Sequence, residues 1–111
     1  MNVYDQANVL AKAILESEQY KMLKKNKNRI EADERTKKMF ADYRQQQFEL
    51  QKMHMAGLTV PEEKIKQLKK MYEIMIPNQV IKDFMEAELR FNTMMADVQR
   101  ILINVLKLGE K

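Results

Sequence analysis

Apolar residues recur every three or four positions along almost the whole chain, which is the spacing of amphipathic α-helices. Side chains suited to helix N-caps precede three of these stretches, namely Asn2, Ser17 and Asp33. Gly57 suits the left-handed end of the third helix, and Pro77 marks the end of the fourth. The pattern therefore predicts about five helices and an all-α fold.

The strongest periodicity belongs to the last predicted helix, which starts near Val80. Its apolar ridge keeps alternating steps of four and three residues over about four heptads. The ridge consists of Val80, Phe84, Ala87, Phe91, Met94, Val98, Ile101, Val105 and Leu108. A helix of about 30 residues is about 45 Å long, which exceeds the size of a compact domain of this length. We therefore predict an elongated helical bundle with a long C-terminal helix.

The C-terminal half of that helix is apolar almost all round, which is more than packing within one chain would use. The candidate self-association residues are Phe91, Met94, Val98, Ile101, Leu102, Val105 and Leu108. A second copy of the chain is the simplest partner, so we predict a homo-oligomer, with a dimer as the simplest form. A heterologous protein partner is also possible.

Two further predictions concern the third and fourth helices. Thr59 and Glu62 have the spacing of a capping box, although Val60, which precedes Pro61, resists helical angles. The predicted apolar faces of the two helices include Phe48 and Ile65.

Composition narrows the class of protein further. The chain has 111 residues, long enough for one domain with its own core, and we predict a single domain over residues 1–111. Its two glycines and two prolines are too few for a many-stranded β fold. Because it contains no cysteine, the sequence excludes disulfides, thiol catalysis and cysteine-bound metal, and it predicts no cofactor.

The charge balance adds one candidate binding surface. The 20 basic and 16 acidic residues leave a net charge of +4. A basic run without an acidic interruption contains Lys21, Lys24, Lys25, Lys27 and Arg29, and a second group contains Lys64, Lys66, Lys69 and Lys70. Such lysines can contact phosphates, but stacking aromatics and arginine pairs are scarce nearby. A solvated helix face is the favoured interpretation, and nucleic-acid binding is the alternative.

Catalytic and metal-binding patterns are weak. His54 is the single histidine, and no second ligand stands at metal-binding spacing from it. Glu31, Glu34, Glu62 and Glu86 each have a basic residue four positions later, which is typical of ion pairs on a helix surface. The most apolar run, Ile101 to Leu106, is interrupted by Asn104, so no membrane span is predicted. We expect a cytoplasmic protein that is not an enzyme.

Four segments resemble the YlbF/YmcA-like family, and in particular its YheA-type subgroup of small Firmicutes proteins. They are Tyr4–Asn8, Ile14–Tyr20, Asp33–Phe40 and Gln51–Gly57. The resemblance implies an all-helical, cytoplasmic, oligomeric protein without known enzymatic activity. Relatives in this family act in the regulation of competence, sporulation and biofilm formation, and they act as accessory factors of an mRNA-processing ribonuclease. Some relatives occur in a complex with iron–sulfur clusters, for which this chain has no cysteine ligands.

These observations together predict a non-enzymatic helical adaptor or regulatory protein that acts through protein contacts and self-association. The alternative is an RNA-binding accessory factor in mRNA processing that uses the lysine-rich helix faces.

Overall fold

Five α-helices account for most of the described chain. The computed structural model describes residues 2–107. The helices are α1 (Val3–Leu15), α2 (Glu18–Glu31), α3 (Glu34–Met55), α4 (Glu62–Met75) and α5 (Gln79–Val105). No strand occurs within residues 2–107. The predicted all-α fold with about five helices and a long last helix is confirmed.

Side-chain caps begin the first three helices where the sequence predicts them. The Asn2 side-chain oxygen accepts a hydrogen bond of 2.9 Å from the backbone amide of Asp5. The Ser17 hydroxyl accepts one of 3.1 Å from the amide of Tyr20, and Asp33 caps α3 in the same way. Each cap satisfies a backbone donor that the first helical turn leaves without an internal partner.

The turn between α3 and α4 differs from the prediction in one respect. Gly57 adopts the expected left-handed conformation, with φ of 75°. However, α4 is preceded by Pro61 as its N-cap, and no side chain caps the helix. The predicted capping box of Thr59 and Glu62 is therefore wrong. Pro61 is extended at ψ 135°, and its carbonyl oxygen accepts the first backbone hydrogen bonds of α4.

The described chain divides into two compact units, and α2 and α5 each contribute to both. Unit 1 combines the residues up to Asn26 with those from Phe84 onward, and unit 2 is Lys27–Asp83. The single domain expected from the sequence stays a prediction.

Unit 2 contains most of the buried apolar side chains. Met75 and Ile81 are completely buried, and Ile30, Phe40 and Tyr43 are nearly so. The Tyr43 ring lies 5.9 Å from that of Tyr72, measured between centroids. Burial raises the pKa of the Tyr43 phenol, and the nearby Tyr72 adds to the rise. These side chains form the core that holds α3 and α4 together.

Two residues predicted on the apolar faces of α3 and α4 lie largely in solvent. Phe48 is 54% exposed and Ile65 is 51% exposed. The buried residues of α3 are confined to its N-terminal half and end at Tyr43. The helix is 22 residues long, and its C-terminal half is not enclosed, so a residue on the apolar side there remains accessible.

A chain of polar contacts links the starts of α3 and α5. The Thr36 hydroxyl donates to the Asp33 carboxylate at 2.7 Å and accepts from the Asn78 side-chain nitrogen at 3.3 Å. The Asn78 side-chain oxygen in turn accepts from the amides of Val80 and Ile81. Thr36 is only 5% exposed, so its hydroxyl is buried, and both of its hydrogen-bonding sites are used although Asp33 is exposed and Asn78 is half-buried.

Unit 1 has few enclosed side chains. Among its described residues only Asn26, Phe84 and Ala87 are buried, and α1 has no buried residue. The Asn26 side chain donates to the backbone carbonyl of Met22 at 2.9 Å. The apolar faces of α1 and of the C-terminal part of α5 are thus left mainly at the surface.

Candidate interaction surfaces

The apolar ridge of α5 changes from buried to exposed along the helix. Phe84 and Ala87 are buried near its start, and Phe91, Met94 and Val98 are half-buried. The last members are open to solvent: Ile101 is 66%, Leu102 50% and Val105 77% exposed. Except for Leu102, which lies on the flank of the ridge, these residues lie on one side of the helix because they follow the heptad spacing.

The inner residues of the predicted self-association set also serve the packing of unit 1. The Phe91 ring lies 6.0 Å from the ring of Tyr20, with the planes tilted by 56°. This distance is in the range of favourable aromatic pairs. Ile101, Leu102 and Val105 remain accessible, and Leu108 lies outside the described residues.

Further apolar residues of unit 1 are exposed beyond the predicted set. Ile103 and Leu106 are 56% and 70% exposed on other sides of the α5 end. On α1, Val3 and Tyr4 are about four-fifths exposed. The sequence carries a signal for Val3, which has the spacing of an apolar face along α1, but that spacing does not distinguish an enclosed face from an open one.

A surface cleft of about 490 Å³ lies in unit 1 between the first turns of α2 and the middle of α5. The residues that line it are Glu18, Gln19, Met22, Ala87, Leu89, Arg90, Thr93, Met94 and Asp97. Two of the charged groups at its edge are paired: Arg90 with Glu86 at 2.7 Å, and Asp97 with Arg100 at 3.1 Å. The cleft is thus lined by apolar side chains together with charged ones.

The basic run on α2 is only partly available for binding. Lys21, Lys24, Lys25 and Lys27 are exposed. Arg29, by contrast, donates to the Asp83 carboxylate of α5 at 2.9 Å. Its guanidinium is therefore engaged inside unit 2, and the remaining cations are lysines.

The ion pair of Arg29 and Asp83 makes stability depend on pH. The hydrogen bond from Arg29 lowers the pKa of Asp83 below its ordinary value of 3.8, and the hydrogen bond from Gln79 lowers it further. A carboxylate whose pKa is depressed by folding stabilises the folded state above its unfolded pKa. This contribution is lost as the pH falls through the folded pKa.

We therefore expect the stability of the Asp83→Asn variant to decrease less than that of wild type when the pH is lowered. The urea midpoint of wild type should fall more between pH 6 and pH 3 than that of the variant. Because the carboxylate is at the surface, the difference should be small. The control is Asp97→Asn on α5, whose ion pair joins residues three apart on one helix. A wild type and an Asp83→Asn variant with parallel profiles would contradict the role given to this pair.

A second cleft, of about 630 Å³, lies in unit 2 at the start of α3 and the end of α4. Its charged lining residues are Asp33, Arg35, Lys38 and Asp42. Asp33 already serves as the α3 cap. Within residues 2–107 no three histidine, cysteine or carboxylate residues are grouped in a way that could hold a metal ion. The arrangement thus presents mixed charges without a convergent set of catalytic groups.

Unit 2 also exposes apolar residues around the turn after α3. Met55 is 79% exposed and Leu58 is 59% exposed. The Lys52 ammonium lies 5.1 Å from the centroid of the Phe48 ring, so the lysine covers part of one face of that ring. His54 is exposed in the same region. This surface was not predicted from the sequence.

None of the helices in the described chain combines the length and the apolar character needed to cross a membrane.

Comparisons with known proteins connect these surfaces to a family. The family described as control of competence regulator ComK, YlbF/YmcA, matches residues 3–107. A UPF0342 protein of Alkalihalophilus pseudofirmus is 39% identical over 106 residues, covering 96% of this chain and 90% of the relative. A UPF0342 protein of Caldicellulosiruptor bescii is 33% identical over 110 residues, covering 99% and 92%.

A solved structure has the same fold. It is a protein of unknown function (DUF964) from Bacillus stearothermophilus, with a TM-score of 0.83 and 28% sequence identity, covering 95% of this chain and 92% of that one. The resemblance seen in the sequence is therefore confirmed, and the chain belongs to the YlbF/YmcA family.

Proposed function

We propose that this protein is a non-enzymatic helical adaptor that forms a homodimer through α5 and acts in regulation through protein contacts. The observation that carries the proposal is the exposed end of the α5 ridge, at Ile101, Leu102 and Val105. Soluble monomers rarely leave a contiguous apolar surface of this kind uncovered.

The size of the exposed surface supports association. Burying an aliphatic side chain fully is worth about 1.5–3 kcal/mol, and each residue of the ridge counts twice in a symmetric dimer. Burying the exposed parts of Ile101, Leu102 and Val105 in both copies is worth about 6–12 kcal/mol, which is comparable to the cost of about 4–15 kcal/mol for the lost translational and rotational freedom. The apolar end of α5 thus has the capacity to hold two copies together.

The family supports the regulatory part of the proposal. Its description names the control of a competence regulator, and the UPF0342 relatives carry no enzymatic name. A protein that controls another without a catalytic centre must act by contact. The exposed apolar residues of unit 2, around Met55 and Leu58, leave a second surface for such a contact when α5 is occupied by dimerisation.

We do not advance RNA binding as the function. Arginine forks and stacking aromatics give nucleic-acid surfaces most of their specificity. The arginine of the basic run is engaged by Asp83. The remaining lysines are accounted for as a solvated helix face.

Sedimentation velocity of the wild-type protein over a range of micromolar concentrations tests the proposal. We expect a species of twice the chain mass of 13.3 kDa, with the monomer growing on dilution. Circular dichroism on the same samples should show a helical protein at every concentration. A folded protein that remains monomeric throughout would overturn the proposal.

A further inference from the structure

One side of α3, in unit 2, is open to solvent along most of the helix. Its members follow one another in steps of three or four residues, so they share one face: Lys37, Ala41, Arg44, Phe48, Lys52 and Met55. Arg44 is half-buried, and the other five are exposed. We call this set the exposed face of α3.

The exposed face of α3 points away from the core of unit 2. Tyr43 is buried, and its ring lies beside that of Tyr72 on α4. Phe48 lies about 140° further around the helix, at about 100° for each residue. Phe48 is 54% and Met55 79% exposed. Both apolar side chains are therefore accessible to another molecule.

The charged side chains of this face are all positive, namely Lys37, Arg44 and Lys52. The carboxylates of Asp42 and Glu49 lie about 100–120° around the helix from Phe48. Glu34 is on the same side one turn before Lys37, and it marks the end of the positive stretch. The Lys52 ammonium is 4.0 Å from the Glu49 carboxylate, but an ion pair this exposed contributes little. Exposed apolar side chains thus lie among cations.

Two contacts between cations and rings hold the charges beside the apolar side chains. The Lys52 ammonium is 5.1 Å from the centroid of the Phe48 ring, and the Arg44 guanidinium carbon is 4.7 Å from that of the Phe40 ring. A guanidinium that stacks on a ring still offers N–H groups at its edge to a carboxylate. The positions of these cations therefore suit the recognition of negative groups.

We propose that the exposed face of α3 binds an acidic amphipathic helix of a partner protein. This inference rests on the part of the proposed function in which the protein acts by contact, and it names the chemistry of that contact. It does not require dimerisation through α5. The apolar side chains of the partner helix cover Phe48 and Met55, and its carboxylates pair with the three cations.

The spacing of the face favours a helix as the partner. Steps of three and four residues keep the members in line along α3, over about 27 Å from Lys37 to Met55. A second helix of about 18 residues has the same length and the same spacing of side chains. An extended chain has a period of two residues, which does not match this spacing.

The apolar members favour a protein over a nucleic acid or a lipid surface. Lys52 covers part of one face of the Phe48 ring, and Ala41 and Met55 provide no ring on which a base could stack. Binding to a bilayer depends on the apolar area that enters it, and two large apolar side chains supply little. An acidic helix uses both the cations and the apolar side chains.

Selection from a displayed library of random peptides of this length tests the inference. The full-length wild-type protein is the bait, after the library has been depleted on the Phe48→Ser variant. We expect enriched peptides with a net negative charge and with apolar residues at helical spacing. A variant that carries both Lys37→Glu and Lys52→Glu should not enrich acidic peptides, because like charges would then oppose one another.

Fluorescence anisotropy of an enriched peptide measures what single residues contribute. Phe48→Ser is expected to weaken binding by about 10-fold or more, because it removes the largest apolar side chain of the face. Met55→Ser is the second variant, in case Phe48→Ser disturbs the fold, and circular dichroism checks folding.

Two control variants lie on α4, outside the exposed face of α3. Ile74→Ser removes an apolar side chain that is 71% exposed and lines the cleft at the start of α3. Lys70→Glu makes the same change of charge as Lys37→Glu, at another exposed position. Both controls should bind the enriched peptide as wild type does.

Each outcome decides the inference. Acidic peptides whose binding depends on Phe48 or Met55 support it. Enriched peptides without a net negative charge, or no enriched peptide, would overturn it. Binding of a single-stranded RNA oligonucleotide or of phosphatidylglycerol vesicles that depends on Phe48, without peptide binding, would also overturn it.

Sedimentation of the same samples separates this inference from the dimer. A monomer that selects acidic peptides would overturn the proposed dimer and leave the exposed face of α3 as a docking surface. A dimer that selects none would overturn the docking surface and leave the dimer standing.

Discussion

Replacing Ile101 by lysine is expected to convert the proposed dimer into a folded monomer. The side chain is 66% exposed in the single chain, so a lysine there remains solvated and the fold of the monomer is retained. At the interface the same ammonium would be desolvated without a partner. Because about two-thirds of the side chain is available for burial, losing Ile101 from both copies removes about 2–4 kcal/mol, which weakens dimerisation by about 30-fold to 1,000-fold.

Val105→Glu should act in the same direction, because Val105 is 77% exposed on the same ridge. Lys66→Glu on α4 is the control for a change of charge at an exposed position, and we expect it to leave the dimer intact. Sedimentation gives the mass, and circular dichroism gives the helix content. If both α5 variants stay folded and dimerise like wild type, the interface lies elsewhere.

Met75→Ala is expected to destabilise the fold itself, by about 2–5 kcal/mol. Met75 is completely buried in unit 2, so its truncation leaves a cavity among side chains that are already packed. The free energy of unfolding should be measured by urea titration at a protein concentration high enough to keep the oligomeric state unchanged. The urea concentration at the midpoint of unfolding should decrease, while the dependence of the free energy of unfolding on urea concentration should change little.

Met55→Ala is the matched control, since it removes the same side chain from a position that is 79% exposed. Its expected effect is within about 0.5 kcal/mol of wild type. Equal losses from the two substitutions would contradict the core assigned to unit 2.

Local signals in the sequence were enough for the secondary structure. Asn2, Ser17 and Asp33 cap helices because their side chains satisfy nearby backbone amides, and that chemistry depends only on neighbours in the chain. Gly57 is found in the left-handed conformation for the same kind of reason. The Thr59–Glu62 capping box failed because Pro61 fixed the entry to α4 with its backbone alone.

Burial was predicted less well, because it depends on contacts between segments that are distant in the chain. Phe48 and Ile65 have the spacing of core residues and lie more than half exposed. The same limit applies to α5: its periodicity shows which side is apolar, but only the structure shows that Phe84 is enclosed and Val105 is not. The cleft beside Met94 also combines α2 with α5, which no single stretch of sequence reveals.

The polar contacts of Asp33, Thr36 and Asn78 have a consequence for which arrangement of helices the chain selects. Apolar faces on regular helices can slide past one another by a turn with little loss of contact, because one aliphatic side chain replaces another. The buried Thr36 hydroxyl keeps Asp33 as a partner in any alignment, because Asp33 caps the same helix, but it accepts from Asn78 in only one. A shift by one turn would separate Asn78 from Thr36 and remove this hydrogen bond, which is worth about 0.5–1.5 kcal/mol, while the bond between Thr36 and Asp33 would remain. The hydrogen bond between Asn78 and Thr36 therefore favours one register over slipped packings that the apolar residues alone would tolerate equally.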